Sequence, residues 1–383
     1  MDENMPPIYS NANPEPGPKI PPPLVPPPPP PPWAHRGRGW MFFSIFLLVV
    51  LVGVTGRWAF GVLEDLGTNL GAKSGVSHRR GRDMLEVVVE DHGSRNKIAV
   101  VDIDGLITGA ILNGVGHNMV TQLKDELSLA EDDPTVKAVL LRVDSPGGEV
   151  MAADEISRAI GEFQKKSGKP VVASFGGLAA SGGYYVSAPC RWIVSSELTI
   201  TGSIGVIMHS YNYRGLLNKV GVMPEVFKSG RFKDMLSGDK SPDEVLPEER
   251  QMVQSLIDET FARFKQVVAE GRRNANKENN GKGRTLVKDW NQYADGRILS
   301  GKQAYEYGFV DELGDFQAAF ASAKRLAQLR DAQLIRYEQP FDLANIFRLF
   351  VKSDPPALKL DLGMELPKIQ AGRLYFLSST VLH

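Results

Sequence analysis

Residues 176–185 read Gly-Gly-Leu-Ala-Ala-Ser-Gly-Gly-Tyr-Tyr, one serine set among small residues. The apolar run 170–175 before it reads as a buried strand, and an apolar helical segment follows. A hydroxyl at such a strand-to-helix junction is open to a substrate, because its neighbours carry almost no side chain. It also lies near the positive end of a helix dipole, where developing negative charge is stabilised. The chemistry available to Ser181 is nucleophilic attack on a carbonyl. The same glycines would equally serve a tight turn that only lets strand and helix pack closely, so the segment alone leaves both readings open.

A nucleophilic serine needs an oxyanion site and a base. Asp144-Ser145-Pro146-Gly147-Gly148 closes the strand-like run 136–143 and precedes a helical pattern. Two glycines there leave backbone N–H groups uncovered, free to donate to a carbonyl oxygen beside a neighbouring strand. An ordinary strand-end turn would look the same. Two bases are available. His209, 28 residues after Ser181, would make a Ser-His pair. Lys233 lies in Lys-Ser-Gly-Arg-Phe-Lys-Asp (228–234), a segment dense in lysine and small residues. A lysine must be neutral to act as a base, and lowering its usual pKa of about 10.4 by roughly three units takes about 4 kcal/mol, supplied by burial. On spacing alone a surface lysine and a packing histidine are the simpler readings.

The elements that would hold these groups alternate. Strand-like runs recur at 98–103, 136–143, 171–175 and 192–195, with helical runs near 117–131, 150–166 and 178–188. That alternation implies an α/β architecture with crossover connections. Helical patterns also cover 247–270, 300–307 and 315–329, interrupted by the polar stretch 272–288, which reads as an exposed loop or insertion. The segment 339–383 is mixed and shows no dominant period.

The first 38 residues are proline-rich, with seven consecutive prolines at 26–32 favouring an extended rod without a packed core. A solvated spacer accounts for them as simply as a docking site would. Residues 39–57 read as a single membrane anchor, because the uncharged run 40–56 would span about 26 Å as a helix and carries Trp40 and Trp58 at its ends. The charges on either side balance, so they do not set orientation. With 44 basic and 45 acidic residues, nothing suggests a nucleic-acid surface. The lone cysteine, Cys190, excludes an intrachain disulfide and reads as a small core residue, and the six histidines are too scattered for a metal motif.

Gly-Leu-Ala-Ala-Ser-Gly-Gly-Tyr-Tyr (177–185) resembles the nucleophile motif of the signal peptide peptidase A, or protease IV, family. Three further matches fall in order: Ser-Pro-Gly-Gly (145–148), Thr-Gly-Ser-Ile-Gly-Val (201–206) and Lys-Ser-Gly-x-x-Lys-Asp (228–234). A later stretch, from Ala294-Asp295-Gly296-Arg297 to Gly308-Phe309-Val310-Asp311, is similar to the family's C-terminal region. The resemblance spans about residues 95–330.

The resemblance implies a Ser–Lys dyad, with Ser181 as nucleophile, Lys233 as general base, Ser203 orienting the lysine amine and the Gly148 N–H donating to the oxyanion. It implies a crotonase/Clp-protease-like spiral of ββα units, preceded by a single transmembrane helix, with the peptidase domain over 95–338 and an extension over 339–383. Residues 58–94 then form a linker and the start of the ectodomain. Implied partners are peptides such as released signal peptides, a membrane, and other copies of the chain in a ring whose sites draw serine and lysine from neighbouring subunits. The tail would lie in the cytoplasm and the catalytic domain outside the inner membrane. No cofactor is called for. An extended peptide is expected along the edge 147–150, adding as a strand. A Clp-like Ser181–His209 peptidase and a non-catalytic scaffold of the same superfold are the rivals. The long proline-rich start departs from the family pattern.

Overall fold

Runs such as Ile98-Ala99-Val100-Val101 place apolar side chains at every position, the pattern of a strand covered on both faces. The computed structural model describes residues 84–110, 118–339 and 373–378, so the proline-rich start and the expected anchor at 39–57 lie outside the described residues. In chain order the strands are β1 (Leu85–Glu90), β2 (Lys97–Asp104), β3 (Val136–Ser145), β4 (Gly147–Glu149), β5 (Val171–Ala180) and β6 (Trp192–Ser195). They continue with β7 (Ile200–Gly202), β8 (Ile207–Met208), β9 (Ile298–Ser300), β10 (Glu312–Leu313), β11 (Gln333–Glu338) and β12 (Leu374–Leu377). The helices are α1 (Met119–Asp132), α2 (Val150–Ser167), α3 (Gly182–Ser187), α4 (Arg214–Val220), α5 (Pro247–Glu278), α6 (Gly301–Glu306) and α7 (Phe316–Leu326).

The main sheet runs β1-β11-β2-β3-β5-β6-β10, with β7 beside the far end of β5 and β9 beside β7. β11, β2, β3, β5, β6 and β10 are mutually parallel. Side chains alternate between two cores. Ala99, Val101, Val139, Leu141 and Ala173 pack with α1, α2 and α3, while Ile98, Val100, Leu140 and Val172 pack with Ala319, Phe320 and Ala323 of α7. The expected α/β alternation is present, and β1 joins the sheet from within the stretch read as a linker.

Two expectations are corrected. Residues 178–180 continue β5 and do not open a helix, because Leu178, Ala179 and Ala180 pair with Ile200, Thr201 and Gly202 of β7. The helix starts only at Gly182. The polar stretch 272–288 is not simply an exposed loop either: α5 continues to Glu278. Arg272 is fully buried on it, paired with Asp311 and donating to the Cys190 carbonyl at 3.1 Å. Polar residues persist there because buried partners from elsewhere satisfy them. Cys190 is a core residue as expected, and burial pushes its thiol up to about 12.

Glu126 is buried on α1, accepting from Gln122 Nε2 at 2.9 Å. Burial raises its carboxyl from the ordinary 4.5 to about 7, against the opposing Gln122 hydrogen bond. The folded chain therefore holds this proton more tightly than the unfolded chain. Its contribution to stability is greatest below about pH 4.5 and is lost as pH rises towards 7, by on the order of 3 kcal/mol. Glu126→Gln should flatten that slope and be the more stable chain at about pH 8. Urea denaturation of both chains at about pH 5 and pH 8 checks this, and an unchanged slope counts against it.

Candidate active site

Ser181 stands between β5 and α3 with φ 53° and ψ −114°, a region usually left to glycine. Its Oγ is buried without a hydrogen-bond partner among the described residues. Backbone contacts hold the bend in place. Ser181 N–H donates to Gly202 O at 2.8 Å, and its own carbonyl accepts from Tyr185 N–H at 2.8 Å. Small residues are required around it: a methyl on Gly183 would lie 2.8 Å from the Ser145 carbonyl oxygen.

The segment 144–148 faces this bend. Ser145 Oγ donates to Gly105 O at 2.6 Å and accepts from Gly147 N–H at 3.1 Å, which fixes the turn. Asp144 Oδ1 accepts from Leu178 N–H at 3.0 Å, tying the turn to β5. Gly147 O accepts from Ile107 N–H and Ile107 O from Glu149 N–H, both at 2.8 Å. The Gly148 N–H and C=O therefore point to the opposite edge. Gly182 closes on the same point, since a methyl there would stand 3.1 Å from Gly148 N and 3.0 Å from Gly147 Cα.

That edge is occupied. β12 pairs antiparallel with β4, placing Phe376 opposite Gly148 and Tyr375 opposite Glu149, and pairs with β8 on its other side. Ser378 N–H donates to Pro146 O at 2.9 Å, which puts Gly148 and Phe376 in the phase that exchanges backbone hydrogen bonds. The Phe376 ring is fully buried, 4.7 Å from the Tyr185 ring and 4.6 Å from that of Phe264. Sequence reading missed this strand: it is four residues long, and only the short apolar run Leu374-Tyr375-Phe376-Leu377 signals it.

Ser203 is brought close to Ser181 by the sheet. Ala180 pairs with Gly202, so each serine is the next residue on neighbouring strands, and Ser203 also has a positive φ of 50°. Within one chain Lys233 makes no hydrogen bond to Ser181. It is exposed in a turn, its N–H bonded to Gly230 O at 3.2 Å, and its amine is no partner of Ser181 Oγ. His209 stacks on Tyr211 and likewise makes no hydrogen bond to Ser181. Around Lys233 the segment bares large apolar side chains, with Met223 86% and Phe227 88% exposed.

Residues 163–330 match the model for peptidase family S49. A protein named as a signal peptide peptidase SppA in Enterococcus faecium is 38% identical over 263 residues, covering 67% of this chain and 71% of that one. The chain belongs to peptidase family S49. It is a serine endopeptidase of the signal peptide peptidase A group, as the four ordered motifs imply. Other S49 relatives include a Synechocystis protease, 41% identical over 62% of this chain and 76% of its own. Protease 4 of Salmonella typhi is 36% identical over 60% of this chain, which matches 35% of that longer protein. The mixed α/β sheet agrees with the fold expected of an S49 peptidase.

Proposed function

We propose that this S49 chain is a membrane-anchored endopeptidase working through a Ser181–Lys233 dyad completed between neighbouring copies. Ser181 Oγ attacks the scissile carbonyl while Lys233 of an adjacent copy takes its proton, and Ser203 orients the amine. The Gly148 N–H stabilises the oxyanion, and a water activated by the same lysine releases the acyl group. The observation that carries this reading is that, within one chain, Ser181 Oγ is buried with no hydrogen-bond partner among the described residues, while Lys233 is exposed on a segment that bares apolar side chains. A neighbouring copy seated on that segment would bury the apolar side chains and strip water from the amine, which an amine needs before it can act as a base. Residues 39–57 serve as the anchor, with the proline-rich start in the cytoplasm and the catalytic domain outside. Released signal peptides and other hydrophobic peptides are the substrates, in keeping with the name of the Enterococcus relative.

The test is peptide hydrolysis by the full chain in detergent, comparing wild type with Lys233→Ala and His209→Ala at unchanged oligomer size. Loss of at least roughly a hundredfold is expected for Lys233→Ala alone. Loss confined to His209→Ala would transfer the base to that histidine, and full activity of an isolated monomer would overturn the shared site.

A further inference from the structure

Resting on the Ser181–Lys233 reading, we infer that Lys240 is a positioning residue for the general base. Through Asp234 it clamps the turn that carries Lys233 onto the first turn of α5, and it keeps that carboxylate engaged away from the base. A general base must stand within about 3 Å of the hydroxyl it deprotonates, and a misplacement of about 1 Å can cost roughly a hundredfold in rate. Residues 222–240 form neither helix nor strand. Side chains therefore have to fix the place of Lys233.

Lys240 and Glu249, which stands in the first turn of α5, are both buried. The Lys240 amine donates to Glu249 Oε1 at 2.7 Å and to Asp234 Oδ1 at 3.3 Å, and Asp234 Oδ2 accepts from Lys228 at 2.7 Å. On the other flank of Lys233, Arg231 pairs with Glu248 at 3.1 Å, so both sides of the base meet the same helix turn. Asn212 Nδ2 donates to Lys240 O and Tyr213 N–H to Gly238 O, each at 2.8 Å, which pins the far end of the segment. A buried ion pair gives little net stability against apolar residues of the same size, but its directionality fixes geometry that they would not. The charges matter as well. Asp234 directly follows Lys233, and an amine facing an unneutralised carboxylate stays protonated. The Lys228 hydrogen bond first, and Lys240 after it, hold the Asp234 carboxyl below its ordinary value, so two other amines engage its charge.

Peptide hydrolysis by the full chain in detergent, followed from about pH 6 to about pH 10, decides the point. The chains compared are wild type, Lys240→Met/Glu249→Leu, the same double change with Asp234→Asn added, and Lys233→Ala. The double change replaces the buried pair by apolar side chains of similar size, which usually keeps a fold intact, and the unfolding midpoint and oligomer size check that. Its kcat/KM at about pH 7.5 should fall roughly tenfold, with the rise of activity displaced roughly one unit to higher pH, because Asp234 is released to hold the Lys233 amine protonated. Adding Asp234→Asn should return the profile to lower pH. Should the double change not fold, Lys240→Gln, whose amide can still donate to Glu249, carries the same expectation. A wild-type profile in the folded double, a loss of equal size at every pH, or a triple change that stays displaced overturns the inference and leaves the pair a structural one. Activity surviving in Lys233→Ala would defeat the dyad reading itself. An inactive Lys233→Ala beside a double that behaves as wild type would defeat only the role of Lys240.

Discussion

Ser181→Ala will abolish peptide hydrolysis while leaving the thermal unfolding midpoint unchanged or slightly raised. The loss should reach on the order of 10³–10⁶ in kcat, the range seen when a serine nucleophile is removed and only binding and oxyanion donors remain. The stability half of this expectation follows from the local geometry. Ser181 Oγ is buried with no hydrogen-bond partner among the described residues, so deletion removes a desolvated hydroxyl and breaks none of their bonds. Alanine at φ 53° carries the same backbone strain as serine. Ser181→Gly should relieve that strain and gain about 1 kcal/mol or more, since residues forced into such regions cost roughly 1–3 kcal/mol each. Calorimetry alongside a peptidase assay checks both halves, and a large drop in midpoint for Ser181→Ala would show that the hydroxyl has a structural partner after all.

The second large effect belongs to the buried pair between Arg272 of α5 and Asp311. Arg272→Met is expected to destabilise the fold by about 3–5 kcal/mol, because a carboxylate without its counter-charge is left in the interior. Asp311→Leu should cost more. Asp311 also accepts from Ile193 N–H at 2.9 Å and Arg284 N–H at 3.1 Å, so its removal strands two backbone donors as well as the guanidinium. The double change should cost less than the sum of the single ones, because it leaves no unpaired charge behind. Urea denaturation of the four chains measures this. Additive losses would mean that the two groups do not act as a pair.

The parts of the fold visible in the sequence are those whose signal is local. The runs 98–103, 136–143 and 192–195 are mostly apolar and form interior strands of the sheet, and Ser181 does stand at a strand-to-helix junction. What escaped depends on partners far along the chain. Residues 178–180 are extended because β7 lies beside them, and α5 runs past Arg272 because Asp311 waits in the interior. β12 is invisible without β4, since four residues carry too short a period to stand out. Only the family resemblance marks Lys233, and within a single chain it is exposed and makes no hydrogen bond to the serine. Its role involves a surface that one sequence, read as one chain, does not contain.

The pairing of Ala180 with Gly202 has a consequence for how the site tolerates change. The spacing between Ser181 and Ser203 is metered by rungs of a ladder and is independent of how many residues connect the two strands. Residues added at the exposed Leu198 between β6 and β7 would be taken up at the surface, with both hydroxyls left where they are. A single residue added within β7 ahead of Gly202 would instead turn Ser203 to the other side of the sheet. The site therefore tolerates added length at its exposed surroundings and is sensitive to insertion in the rungs beside it.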